Sequence, residues 1–325
     1  MKIISASDMK SNITMAEAIN AAEEAYIKLA TEKALMPIRT GTDFGEKNPT
    51  VLYKPSFTSD DKRVVVKLLS LVKERTENTL VTINGTVTVI DTDRNDILAV
   101  LDAAYLTALR TGASAGLATK LLAREDAKVV ALFGAGAQAA THLKALMEVR
   151  KIEEVIVYDI YRSSIDKLIE SFSDMTDVKF TVGESLDELK RADIISTVTT
   201  SFKPLFSAEH VKAGTHINAF GSFTPQMREL PNDIFPMARV FVDHKESCFS
   251  ESGDVIDPQK LGLLNDTNYC GEIAQILLGN TIARESESDI TIFKSVGIAV
   301  QDHTIASYIY DKSMADNFGL NANLN

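Results

Sequence analysis

The stretch KVVALFGAGAQAATHLKAL, residues 128–146, reads as an apolar strand, a glycine turn and a helix in immediate succession. Within it Gly134, Gly136 and Ala139 fill a G-x-G-x-x-A pattern. The first glycine permits the tight turn, the second lets backbone approach a pyrophosphate, and the small third residue lets helix pack on strand. A bare match of this kind is weak. Here a second strand, VIVYD, follows and ends in Asp159, where an acidic residue would bind a ribose diol. The charge of Asp159 favours NAD, because a 2′-phosphate there would meet a carboxylate, yet Arg162 and Ser163 follow and could tolerate NADP.

Outward from this motif, strand and helix continue to alternate. Further strands are predicted near Phe180, Ile194, Ile217, Val240 and Ile292, which implies a doubly wound parallel sheet with right-handed crossovers. Toward the N-terminus the grammar differs. A helix is predicted over residues 15–33, announced by Thr14 with Glu17 three residues on, a capping box. Four runs of strand character follow, at 50–53, 63–71, 80–90 and 97–101, and imply an antiparallel sheet beside that helix. Residues 102–123 read as two helical stretches broken near Gly112. A last helical pattern, at 306–310, would return the chain to the first domain.

The 325 residues, 45% apolar and 24% charged, suit an ordinary globular protein and exclude collagenous or largely disordered classes. A net charge of −11 gives no global support for binding nucleic acid or an anionic membrane. The opening residues contain no apolar core of signal-peptide type, and no run of 18 uncharged apolar residues occurs, so a cytoplasmic location is expected. Cys248 and Cys270 form no C-x-x-C pair and are expected as free thiols. The five histidines show no metal-ligand spacing, so no metal is expected.

Three cations stand in unusual places. Lys67, in RVVVKLLSL, shares a strand face with Val65 and Leu69, so it either snorkels at an edge or points into a pocket. Arg39 lies in the Pro-containing segment MPIRTG. Arg110 precedes Thr111 and Gly112 at an expected helix start, where guanidinium and helix amides could face one anion together. The alternative for each is a solvated basic residue beside a carboxylate.

LRTGASAGLATKLLA, FGAGAQAATHLKAL, THINAFGSFTPQMREL, ESGDV and FKSVGIAVQD, in this order, resemble the ornithine cyclodeaminase and mu-crystallin family over essentially the whole chain. The resemblance implies an α/β fold: a Rossmann NAD(P)-binding domain over residues 112–297, and an N-terminal α+β domain, residues 1–111 with 298–325, for substrate binding and homodimerisation. It implies that Arg39, Lys67 and Arg110 hold a substrate carboxylate, with Lys67 also catalytic. Thr111 then looks like a phosphate contact, Asp159 the ribose ligand, and Val296 with Gly297 the segment under the nicotinamide. Ala137, Gln138, Arg162, Thr197 and Val198 complete the candidate cofactor set.

One departure matters. In the family's ornithine cyclodeaminases the INA-x-G segment runs into an aspartate that engages the substrate's side-chain amine, whereas here it runs into Phe223. Asp302 could supply the missing carboxylate, although helix N-capping is the role its position favours. The SFTPQMREL form is similar instead to members that reduce cyclic imino acids. The expected activity is therefore NAD(P)H-dependent reduction of a small cyclic imine with an α-carboxylate, typified by Δ1-pyrroline-2-carboxylate giving proline. Ornithine cyclodeamination, alanine dehydrogenation and a non-enzymatic ligand-binding role like that of mu-crystallin are the alternatives. Retention of all three cations argues against the last.

Overall fold

A computed structural model describes residues 1–38, 40–45, 49–72, 83–175 and 177–323. It comprises two compact units, Met1–Arg110 with Ile298–Asn325, and Thr111–Gly297. Arg39 and the first residues of the strand expected at 80–90 lie outside the described residues. Among the described residues no helix is long and apolar enough to cross a membrane, and no group of three or more His, Cys, Asp or Glu side chains is placed to hold a metal.

The chain opens with β1 (Lys2–Ile4), α1 (Ala6–Asn12) and α2 (Met15–Ala30). There follow β2 (Ala34–Leu35), β3 (Thr40–Asp43), β4 (Thr50–Thr58), β5 (Arg63–Leu71), β6 (Ile83–Asp91) and β7 (Asp96–Asp102). The capping box forms as expected: Glu17 N donates to Thr14 Oγ1 at 3.2 Å, and Thr14 N to Glu17 Oε2 at 2.8 Å. The helix stops short of Lys33 because the chain turns at Glu32, whose φ of 57° is left-handed. Strands β4 to β7 pair antiparallel in sequence order, while β1 joins β7 in parallel.

Helix α3 (Ala103–Leu122) follows, started by Asp102, whose Oδ1 accepts from Tyr105 N at 2.7 Å. The expected break near Gly112 is absent. A Cβ at Gly112 would lie 2.5 Å from the carbonyl oxygen of Thr141. This glycine therefore serves close packing and does not end the helix. Arg110 consequently sits mid-helix, where the amides already bond within the helix, and no open N-terminus accompanies it.

The Thr111–Gly297 unit contains β8 (Val129–Phe133), α4 (Ala139–Val149), β9 (Glu154–Tyr158), α5 (Arg162–Glu170) and β10 (Lys179–Val182). It continues through β11 (Ile194–Thr197), β12 (His216–Ala219), β13 (Ala238–Val242), α6 (Lys245–Glu251), α7 (Gly253–Lys260), β14 (Tyr269–Glu272), α8 (Ile273–Leu277) and β15 (Ile290–Lys294). The strands form one parallel sheet in the order β10-β9-β8-β11-β12-β15-β13-β14. Both faces are covered. Val130 and Leu132 pack with Leu143, Leu146 and Ile165, whereas Ala131 and Phe133 pack with Ile195, Ile217 and Val240. Such two-sided burial explains the near-continuous apolar runs of these strands.

Helix α9 (Ala299–Asp316) and β16 (Leu320–Asn321) return to the first unit, where β16 pairs with β1. The helix extends well beyond the expected 306–310 because its first turns are buried too.

Candidate functional site

Two polar constructions stand out, one in each unit. In Thr111–Gly297 the strand order reverses between β8 and β11, the place where open α/β sheets bind ligands beyond their carboxyl ends. Gly134 lies at that end of β8 with φ 97°, and a Cβ there would stand 2.9 Å from the carbonyl oxygen of Val198. Gly136 faces open space. Gln138, the N-cap of α4, makes no side-chain capping bond, and Ala137 beside it is exposed. A cavity of about 560 Å3 opens here, lined among others by Gly134, Gly136, Asp159, Tyr161 and Val198. This cradle fits a dinucleotide: bare backbone and a helix N-terminus for the pyrophosphate, and a carboxylate for the ribose.

The remaining candidates divide. Asp159 accepts from Ala135 N at 2.7 Å and Tyr161 N at 2.8 Å, which fixes the carboxylate at the cleft. Arg162 is exposed and pairs with Asp166. Thr111 is buried on α3, next to the Gly112 approach to α4. Thr197 donates to Glu229 Oε2 at 2.8 Å, and Val198 N donates to Phe133 O at 2.9 Å. The amides of Val296 and Gly297 donate to Asp243 Oδ2 at 3.1 and 2.8 Å.

Two buried acids that the sequence reading did not single out therefore brace the strand ends. Asp243 follows β13 and fixes the turn after β15. Glu229 accepts from the amides of Thr199 and Gly221, at 2.7 Å each, and so ties the ends of β11 and β12 together. Burial pushes the Glu229 carboxyl up, and the Lys294 ammonium opposes that. An acid directly after an apolar strand, as in FVD, was the available signal for Asp243; nothing in MREL marks Glu229.

The second construction belongs to Met1–Arg110 with Ile298–Asn325. Lys67 is fully buried in β5 and so does not snorkel at an edge. Its Nζ donates to Asp302 Oδ1 at 2.6 Å and to Thr107 Oγ1 at 3.2 Å. Arg110 Nε donates to the same Asp302 oxygen at 3.0 Å, and its Nη1 to Gln301 Oε1 at 3.2 Å. Gln301 in turn donates to Tyr26 OH at 2.5 Å. Lys54, also buried, stands opposite Lys67 in the β4–β5 register. Burial alone would push the Asp302 carboxyl up, but Lys67, Arg110 and Lys54 together hold it below the usual carboxylate range. The expected N-cap role of Asp302 is thus overturned: Ile298 is the cap residue, and Asp302 lies in the first turn of α9, facing cations. Arg39 lies outside the described residues, and Phe223, half-buried after β12, brings no carboxylate.

The family model for the ornithine cyclodeaminase/mu-crystallin family matches residues 1–317. A Δ1-pyrroline-2-carboxylate reductase of Bacillus cereus is 37% identical over 324 residues, covering 98% of either chain. The solved structure of the Thermococcus litoralis Δ1-pyrroline-2-carboxylate reductase with NADH and L-proline superposes with a TM-score of 0.94 at 36% identity, covering 99% of this chain and 100% of that one. An archaeal alanine dehydrogenase dimer with bound NAD gives 0.91 at 32% identity, covering 100% and 99%. With its parallel nucleotide-binding sheet and its buried Lys67–Asp302–Arg110 cluster, this chain belongs to the ornithine cyclodeaminase/mu-crystallin family.

Proposed function

We propose that the protein is an NADH-dependent reductase of small cyclic imino acids, with Δ1-pyrroline-2-carboxylate as the type substrate and L-proline as its product. The observation that carries this reading is the Lys67–Arg110 pair, two buried cations held on one carboxylate oxygen. Cations preset in this way suit the binding of a small anion, and holding a substrate by its carboxylate fixes the adjacent C=N carbon. The reductases of Bacillus and Thermococcus support the substrate class. Bound NADH supplies the hydride. Gly134, Gly136, Ala137 and Gln138 would hold its phosphates and Asp159 its ribose; Asp243 would keep Val296 and Gly297 in place beneath the nicotinamide. Lys67 and Arg110, joined by Arg39, would orient the substrate carboxylate.

The chain is read as a cytoplasmic homodimer. Tyr53 and Leu68, paired across β4 and β5, are exposed on the sheet face opposite Lys54 and Lys67. Leu35, Ile38 and Phe44 are exposed in the same unit. Apolar exposure of this kind marks association surfaces, and the archaeal alanine dehydrogenase is a dimer.

The decisive assay follows NADH oxidation with Δ1-pyrroline-2-carboxylate, beside pyruvate plus ammonia, and beside ammonia release from ornithine with catalytic NAD. Imine reduction should exceed both others by at least about tenfold. Ornithine turnover should be near background, because Phe223 provides no base for the protonated side-chain amine. Faster turnover of pyruvate with ammonia would make the protein an alanine dehydrogenase.

A further inference from the structure

The two oxygens of Asp302 are treated unequally. Oδ1 takes both Lys67 and Arg110, whereas Oδ2, sealed from water, meets no donor among the described residues. A buried carboxylate oxygen left without a donor costs free energy unless something else satisfies it. The asymmetry is built: Oδ1 draws donors from β5 and α3, and Thr107 and Gln301 fix Lys67 and Arg110 on either side. We propose that Oδ2 of Asp302 is the acceptor for the substrate's ring N–H, the counter-ion of the protonated imine before reduction and of the ammonium of the product afterwards.

This rests on the imino acid reading above and adds a recognition element to it. Two cations alone select for a carboxylate. An anionic oxygen beside them selects for a carboxylate next to a protonated nitrogen, and so for iminium over ketone or ether. The chemistry balances without proton transfer to Asp302. Hydride adds to the iminium carbon, the C=N π pair becomes the nitrogen lone pair, and the neutral amine then takes its second proton from water. Asp302 stays ionised throughout. Its contribution is to keep the imine protonated, and thereby electrophilic, beside two cations that would otherwise repel a positive charge.

The test compares two ligands of one shape. L-Proline carries a ring NH2+, and tetrahydrofuran-2-carboxylate carries an oxygen there. Binding of each is measured by calorimetry in the presence of NADH, for wild type and for Asp302→Asn, with thermal unfolding as a control. Wild type should bind L-proline at least tenfold more tightly than the ether. In Asp302→Asn that preference should fall to within about threefold, chiefly through loss of proline affinity. A wild type that does not prefer proline overturns the proposal whether or not the variant folds. So does a variant that weakens both ligands equally, for Asp302 would then only position Lys67 and Arg110. If wild type fails to reduce Δ1-pyrroline-2-carboxylate at all, the substrate reading itself has failed, and this proposal falls with it.

Discussion

Lys67 occupies a position in β5 where alternation calls for an apolar side chain, between the buried Val65 and Leu69. A break in a period of two is readable from sequence, and so Lys67 was. Lys54 was not: with Ser56 and Thr58 it forms a polar face of β4 that reads as solvated, whereas helix α9, far along the chain, packs on that face. Asp302 was misread for a related reason, since an acid near a helix start looks like a cap until its cations are in place. Lys67→Met, which keeps length and removes charge, should lower kcat/KM for imine reduction about a hundredfold, or roughly 3 kcal/mol of transition-state stabilisation. NADH affinity, measured by fluorescence titration, should hardly change, because the residues of the dinucleotide cradle are untouched. Arg110 remains on Asp302 in that variant, so the acid is not left bare. At the other site, Asp159→Ser removes the charge that would oppose a 2′-phosphate. The ratio of kcat/KM for NADH to that for NADPH, above ten in wild type, should fall about tenfold or more, as expected for about 1–3 kcal/mol. A wild type that prefers NADPH would contradict the role given to Asp159.

Among the elements, α3 shows how far a glycine can mislead. Gly112 within a helical pattern suggests an interruption, because glycine weakens a helix by about 1 kcal/mol relative to alanine. The tertiary demand prevails: α3 crosses α4 so closely that any side chain at Gly112 would press on the Thr141 carbonyl. Sequence periodicity carries no information about that crossing. Gly112→Ala should therefore gain helix propensity of about 1 kcal/mol yet lose more to overpacking, which typically costs about 1–3 kcal/mol. Differential scanning calorimetry should find the midpoint lowered by a few degrees, and a raised midpoint would show that the contact relaxes freely. The strands of the parallel sheet were readable for the opposite reason, since burial on both faces leaves short apolar runs between turns.

At the scale of the whole molecule, charge holds the returning helix in place. Glu17 on α2 accepts from Tyr308 at 2.6 Å and pairs with Lys312, both on α9. Burial works against its charge, but Lys312, Tyr308 and Thr14 together lower it from 4.5 to about 2. Asp61, bonded to the buried His303 and to Thr58, is held low in the same way. Between about pH 4.5 and 2 the unfolded chain binds the Glu17 proton and the folded one does not, so this stabilisation is complete above that window and disappears as pH falls through it. Urea titrations at pH 7 and pH 3 should show wild type losing more stability than Glu17→Gln, which lacks the titration. Neither α9 coupling was visible in sequence, because Glu17 and Asp61 each lie hundreds of positions from their partners on that helix. In the Thr111–Gly297 unit, buried His216 is lowered to about 3, foremost by desolvation. Its neutral form favours the fold above pH 6.5, and that contribution fades on acidification toward pH 3.

The pairing of β16 with β1, and the bond from the Met1 ammonium to Ala322 O at 3.0 Å, give the chain an order of completion during synthesis. A ribosome delivers Thr111–Gly297 as one uninterrupted piece, whereas the unit begun at Met1 must wait for α9, which follows that piece. Asp302 arrives with that helix. A nascent chain can thus finish the parallel-sheet unit before α9 emerges, whereas the cluster of Lys67, Arg110 and Asp302 assembles only once that helix has joined its own unit.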